Sequence, residues 1–441
     1  MEPQPTEARR YAAGMNDWIE RDATRVWHGF TQMATFPLQE PVIVDRAEGR
    51  ELIDSEGRRY FDAISSLWVT TLGHRVPDLD AALTDQLGKV AHTTLLGNGN
   101  RAVVELCEAL ARVVPLNDPH FLFASDGASA VEQALKCALQ YWRNIGLEEK
   151  SGFLALRDAY HGDTIGALSL GDGFHSEHFD RLRFPVLRAA GYATPGWAEQ
   201  ACSMIASSAE RLAAVVIEPL VQAAGGMQIA RPDEVRMLAE CCRENGVLLI
   251  CDEVATGFGR TGSLFASRRC GIQPDLLVLG KGITGGYLPM SATVVSGRVY
   301  LAFMGEDLGP RTFYHGHSYG GNALAAAVAT RHLELLAEWN VLANVEARSV
   351  ELGQLLDERI APLRAVTGVR LCGLLGGVEL APWISARAVC SEAVRRGVLL
   401  RSLGQVIPLV PPLTTTSEEL ERVVAALEQA IAAVSENGAH G

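Results

Sequence analysis

Lysine is scarce in this 441-residue chain. Only Lys89, Lys136, Lys150 and Lys281 occur, against 35 arginines. Any chemistry that needs a primary amine therefore has four places to reside. An excess of basic charge is lacking too: 39 Lys and Arg face 52 Asp and Glu, a formal net charge of −13. So acidic a chain gains nothing from counterion release on a phosphate backbone, which disfavours nucleic acid as a partner. No uninterrupted apolar run reaches ~18 residues, so no membrane-spanning helix is expected. The opening MEPQPTEARR has no apolar segment behind its basic residues, and a secretory leader is not expected either. The nine cysteines form no C-x-x-C pair, the nearest approach being adjacent Cys241 and Cys242. That favours reduced thiols in the cytoplasm over a disulfide framework or a zinc site, and no metal is expected.

What remains is ordinary globular composition, 48% apolar and 21% charged, in a chain long enough for two or three domains. Turn signals around 45–49 and 54–57 mark a small antiparallel ribbon ending near Tyr60-Phe61. From about residue 80 to 335, short apolar runs alternate with helical text. The strand candidates are 120–125, 152–156, 212–218, 247–252, 275–280 and 291–296. Such runs, spaced by helices, predict an α/β fold with a mostly parallel sheet covered on both faces. From 336 onward the text suits a smaller α+β domain. The expected division is an N-terminal segment, 1–75, joining the small domain, then a large ligand-binding domain, 76–335, and a C-terminal small domain, 336–441.

Open α/β sheets bind ligands outside the carboxyl ends of their strands. Here those ends read Ser125-Asp126-Gly127, Glu218-Pro219, Asp252-Glu253 and Lys281-Gly282. Lys281 leaves a buried strand into glycine-rich backbone, where a desolvated ammonium is costly unless its amine is used, for example as a Schiff base with a carbonyl cofactor. An ion-paired or snorkelling lysine is the plainer alternative. Asp252 could keep a pyridine nitrogen protonated, or could simply cap a loop. Ser125–Ser129 opens a helix whose N-terminal amides suit a phosphate, although many helices begin this way. Tyr160, followed by His161, could lay an aromatic face over a planar ring. His161 is given no catalytic role.

At these residues the chain resembles a known family. The segments SDGASAVEQALKCALQYW (125–142), YHGDTIGALS (160–169), EPLVQAAGGM (218–227), DEVATGFGRTG (252–262), GKGITGGYLP (280–289) and HGHSYGGNALAAA (315–327) are similar to class III (omega) aminotransferases of the pyridoxal-phosphate type I fold. The similarity runs over roughly residues 20–430. The text WHGFTQM (27–33), SSLW (65–68), GHR (73–75) and LLRSLGQVIPLVPPL (399–413) carries a narrower likeness to the branch that forms 7,8-diaminononanoate in biotin synthesis.

The resemblance implies pyridoxal 5'-phosphate as cofactor, with Lys281 and Asp252 catalytic. Gly127, Ala128, Tyr160, His161, Glu218 and Ser318 join them around the cofactor, Ser318 acting from the other subunit of a homodimer with shared sites. Phe30, Leu67, Trp68, Tyr160 and Arg401 are implied around the substrate, with Arg401 gripping its carboxylate. The partners implied are a small amino donor and a keto acceptor. Phe30 and Leu67 depart from the tyrosine and tryptophan of the adenosylmethionine-using branch, and with HGHSY they resemble the lysine-using one. Gly29 and Ser402 stand where either branch carries proline. The implied reaction converts 8-amino-7-oxononanoate, with lysine or S-adenosylmethionine as donor. The alternatives on this fold are an omega-amino-acid or amine aminotransferase and, more remotely, a racemase, aminomutase or decarboxylase.

Overall fold

The computed structural model of the chain describes residues 17–173 and 176–438. The first 16 residues, on which the expectation about a leader rests, lie outside them. The ribbon near the N-terminus is a three-stranded meander, β1 (Val44–Glu48), β2 (Glu51–Asp54) and β3 (Arg59–Asp62). Its second turn is set by Asp54, whose Oδ1 accepts the N–H groups of Glu56 and Arg58 at 2.9 Å each, while Gly57 takes φ +83°. An aspartate closing its own turn, with glycine supplying the left-handed residue, is the chemistry the sequence offers there.

Seven strands make the main sheet: β4 (His120–Ala124), β5 (Gly152–Leu156), β6 (Leu187–Ala189), β7 (Leu212–Ile217), β10 (Leu248–Asp252), β11 (Leu276–Leu279) and β12 (Ser291–Val295). A short hairpin, β8 (Val221–Gln222) with β9 (Gln228–Ile229), follows β7. The spatial order is β4-β12-β11-β10-β7-β5-β6. All six strand candidates are present within a residue or two of their expected bounds. The sheet is parallel except for β12, which runs antiparallel to both β11 and β4. Its apolar text is indistinguishable from that of a parallel strand because both faces of the sheet are covered either way. β6 was not expected. It is three residues long, lies at the sheet edge, and has an exposed leucine and a half-buried arginine, so it offers no apolar run to read.

Each strand divides its side chains between two cores. Leu154, Leu156, Leu249 and Cys251 join one, whereas Phe153, Ala155, Leu248 and Ile250 join the other. The second core is roofed by the helix Gly127–Asn144. Its stripe Val131, Ala134, Leu135, Ala138, Tyr141 and Trp142 repeats at three- and four-residue spacing, the mark of a helix with one buried face. Trp142 finishes the contact by donating its Nε1–H to the carbonyl of Ala213 in β7 at 2.8 Å.

Beyond the helices Ala323–Glu338 and Val341–Leu355 lies an antiparallel sheet of β13 (Val366–Cys372), β14 (Leu375–Leu380) and β16 (Val406–Leu409). Between β14 and β16 come the helix Ala386–Arg395 and β15 (Val398–Leu399). β15 pairs parallel with β3, so the N-terminal meander and the C-terminal region share one sheet. Among the described residues no helix is long and apolar enough to cross a membrane, and no cluster of His, Cys, Asp and Glu could hold a metal ion.

Candidate active site

The carboxyl ends of the parallel strands frame a cavity of about 530 Å³. Lys281 comes from the end of β11, Asp252 from its neighbour β10, Glu218 from β7, Tyr160 and His161 from beyond β5, and Gly127 and Ala128 from beyond β4. All of them border this one cavity, with Trp68. The chain thus brings together eight of the residues picked from the sequence. The strand order does the assembly, since β10 and β11 pair directly, with Asp252 beside Val278.

Asp252 is buried and fully engaged. Its Oδ2 lies 2.7 Å from His161 Nδ1, and its Oδ1 accepts the Val254 N–H at 3.0 Å. His161 is a positioning neighbour in this geometry: its ring is enclosed at the cavity wall and meets Asp252. Glu218 is buried nearby and accepts the N–H groups of Tyr160 and Ala223, each at 3.1 Å. Burial pushes its carboxyl up to about 7; His161 opposes the rise and Asp252 adds to it. Glu218 thereby anchors the backbone that carries Tyr160, whose hydroxyl donates to Asp163 at 2.9 Å. The other acidic strand end, Glu253, turns away and accepts the N–H groups of Ala266 and Ser267, capping the helix Ala266–Cys270. Its side chain serves the fold and stays out of the cavity.

Burial lowers the Lys281 ammonium from the ordinary lysine range, with Asp252 and Glu218 pulling the other way. Its Nζ stands 5.0 Å from the centroid of the Trp68 ring. Lys281, Trp68 and Phe30 all have φ between +43° and +64°. Non-glycine residues rarely occupy this region, at a cost of roughly 1–3 kcal/mol each, and such residues gather where a side chain must be aimed. Asp62 holds the segment before Trp68 through the Ser66 N–H at 2.7 Å and 2.9 Å, and it also meets His74 Nε2 at 3.0 Å. Arg260, completely buried, bonds the carbonyls of Thr70 and Pro411, so one guanidinium ties the Trp68 segment to the stretch that follows Arg401.

The phosphate-like cradle is more tightly specified than its sequence suggested. Asp126 is the N-cap, accepting the Ser129 N–H at 2.8 Å and the Ser129 hydroxyl at 2.8 Å. Gly127 and Ala128 precede that contact, and a helix gives its first amides no internal partner. A Cβ on residue 127 would meet Val254 Cγ1 at 2.8 Å, so glycine is required there by packing from beneath. Nothing in the sequence links Val254 to Gly127. His317 accepts the Ser125 N–H at 3.3 Å and was likewise missed, since nothing in the text links positions 125 and 317.

Four residues picked from the sequence, Leu67, Ser318, Arg401 and Phe30, lie outside the cavity. Leu67, implied beside Trp68 around the substrate, is 53% exposed and does not border this cavity. Ser318 is exposed, and its carbonyl accepts from His92 Nε2 at 2.7 Å. Arg401 lines a separate hollow with Phe30. Phe30 also borders a pocket that includes Tyr160 and Asp163, and so links the two regions.

The other lysines are accounted for. Lys136 Nζ meets His315 Nδ1 at 2.9 Å, Lys150 donates to the carbonyls of Ala209 and Gly246, and Lys89 is exposed just past the helix Pro77–Leu87.

A family model for class-III aminotransferases matches residues 34–431. The chain is 41% identical to the adenosylmethionine-8-amino-7-oxononanoate aminotransferase of Nitratidesulfovibrio vulgaris, over 95% of this chain and 82% of that one. It is 39% identical to the protein of the same name from Geobacter sulfurreducens, over 96% and 98%. Among solved structures, the Methanocaldococcus jannaschii enzyme of that name superposes with a TM-score of 0.91 at 34% identity, over 95% and 99%. An omega transaminase from Pseudomonas jessenii in complex with PMP gives 0.90 at 26%, over 97% and 100%. The chain therefore belongs to the class III aminotransferases, enzymes that transfer amino groups, and has the type I fold of pyridoxal-phosphate enzymes.

Proposed function

We propose that the protein uses pyridoxal 5'-phosphate to transfer an amino group to 8-amino-7-oxononanoate, giving 7,8-diaminononanoate. The carrying observation is the single cavity that joins an amine on Lys281, a buried carboxylate on Asp252 and the first helical residues Gly127 and Ala128. These donors fit the cofactor: amides for a phosphate, a carboxylate for a protonated ring nitrogen, an aromatic face at Tyr160 and an amine within the same walls. When bound, the cofactor supplies the carbonyl that takes up the amino group and the ring that disperses the electron pair left on the substrate carbon. The substrate is inferred from the relatives' names and from the exposed Arg401 beyond Phe30, which has no ion pair among the described residues.

In this reading Lys281 Nζ carries the proton to and from the amino-bearing carbon, its lowered affinity for protons suiting a general base. Asp252 fixes positive charge at the ring nitrogen, and Glu218 and Asp163 orient Tyr160. Trp68 shields Nζ from water. The nine cysteines are all free thiols, which supports a reducing cytoplasm.

The test is product formation with a panel of donors: lysine, S-adenosylmethionine, ornithine, alanine and simple amines. Phe30, Leu67 and the HGHSY text favour lysine, whereas the relatives are named for adenosylmethionine, so the panel decides the donor. Turnover of simple amines or omega-amino acids without turnover of 8-amino-7-oxononanoate would support the amine aminotransferase reading, to which the omega transaminase likeness belongs. Racemised donor or released carbon dioxide in place of stoichiometric keto product would remove both.

Arg401→Ala should weaken carboxylated substrates by about 2 kcal/mol, the low end for truncating one partner of a charge pair and roughly 30-fold in KM. Amines without a carboxylate should change little. An equal effect on both substrate types would end the carboxylate role.

A homodimer with shared sites is part of the same proposal. Its support is the exposure of Ser318 and of large apolar residues such as Trp27, Leu96, Tyr314 and Tyr319. Mixing inactive Lys281→Ala and Ser318→Asp chains tests it. One site of each mixed dimer carries both lesions and the other neither, so about a quarter of wild-type activity should return. No recovery despite measured subunit exchange would count against sharing.

A further inference from the structure

Beside Phe30 lies a hollow of about 250 Å³, between the helix Ala386–Arg395 and the stretch Leu399–Ser402. Its charged residues are Glu40, Arg387 and Arg401. Glu40 is committed elsewhere, its Oε2 lying 3.0 Å from Arg395 Nη2 and 3.1 Å from Arg395 Nε. The remaining carboxylate of the helix, Glu392, serves Arg395 and Arg396. Among the described residues, no ion pair or hydrogen bond engages the side chain of Arg387 or that of Arg401, and both are exposed.

Arg387 is also badly placed for the fold. It stands second in its helix, where Ser385 caps the Ala388 N–H at 3.2 Å and the helix dipole disfavours a cation. A second guanidinium facing the same small hollow adds repulsion. Arg395 and Arg396, in the last turn and beyond it, lie where the dipole favours them and are paired besides. Stability alone therefore does not account for Arg387, and a negatively charged ligand would compensate both arginines at once.

We propose that Arg387 and Arg401 together hold the remote carboxylate of the acceptor, Arg387 being a second specificity determinant for an acid-bearing substrate. This rests on the functional reading above, in which the acceptor carries such a group. The two guanidiniums come from different elements, a helix first turn and the stretch after β15, so each can offer a fork of donors to one carboxylate oxygen pair. Phe30 borders this hollow and the pocket at Tyr160, and the apolar chain of the acceptor would cross it toward Lys281.

The probe is heptanoate as a competitor of the acceptor, with heptanamide as its uncharged control, measured on the holoenzyme. Wild type should bind heptanoate at least about tenfold more tightly than heptanamide. Arg387→Gln should raise the heptanoate Ki and the acceptor KM by about tenfold, the effect falling on KM more than on kcat, and should leave heptanamide unchanged. Arg387→Lys should recover part of the loss, since an ammonium keeps the charge and loses the fork. An unchanged heptanoate Ki in Arg387→Gln, with a raised one in Arg401→Gln, would overturn the role of Arg387 and leave the functional reading standing. A wild type that neither distinguishes heptanoate from heptanamide nor turns over 8-amino-7-oxononanoate would remove both.

Discussion

Lys281→Ala should leave protein that folds but performs neither half of an amino transfer. Borohydride reduction of the wild type with pyridoxal phosphate should attach the cofactor to the peptide containing Lys281. The expectation is sharp because the chain has so few amines. Lys136 is bonded to His315. Lys150 is held by two backbone carbonyls and lies 4.6 Å from the centroid of the Trp142 ring. Lys89 is on the surface. Only Lys281 borders the cavity, and burial there lowers its ammonium's proton affinity. An alanine at 281 keeps its Cβ and with it the strain of a φ of +43°, so the variant should unfold within a few degrees of wild type. Two measurements settle the matter: mass spectrometry of the reduced peptides, and keto product formed from donor alone. Label on Lys89, Lys136 or Lys150, or residual product from the variant, would overturn the assignment of Lys281.

The residues that line the cavity were legible because their positions follow from strand ends. A short apolar run that stops at a charged or glycine-rich residue marks both the strand and its ligand-facing edge, and this holds for Asp252, Glu218, Lys281 and Gly127 alike. The antiparallel sense of β12 was not legible, since a strand buried on both faces reads the same in either direction. Contacts made through the fold were also hidden. Val254 beneath Gly127, His317 on Ser125 and Arg260 between Thr70 and Pro411 each join residues more than 120 positions apart in the chain. Glu253 shows the reverse case. It shares the strand end with Asp252, but alternation sends its side chain to the opposite face, where it caps a helix. Leu67 and Ser318 were drawn from resemblance and lie off the cavity within one chain, and the shared-site experiment tests the role of Ser318.

Asp252→Asn should cut the rate of amino uptake roughly a hundred- to several-thousand-fold, the equivalent of about 3–5 kcal/mol for breaking a buried charge pair. Shape is nearly unchanged by this substitution. The asparagine oxygen can still accept the Val254 N–H, now 3.0 Å from Oδ1, and its amide can meet His161 with the ring in its other tautomer. What disappears is the negative charge, in a site enclosed by β10, β7 and the His161 ring, where water cannot replace it. Without that charge the ring nitrogen of a bound cofactor loses the group that holds its proton, and the electron pair left on the substrate carbon has a poorer sink. Lys281 still carries its amine, so covalent attachment under borohydride should persist in Asp252→Asn while turnover falls. That combination separates loss of electronic support from loss of binding. His161→Asn should be milder, because it removes an orienting partner and leaves the carboxylate. Single-turnover uptake from the donor, followed by the absorbance of the bound cofactor, gives the rate directly. A rate within threefold of wild type in Asp252→Asn would show that the carboxylate's charge is dispensable and reduce Asp252 to the loop-capping residue its contact with Val254 also describes.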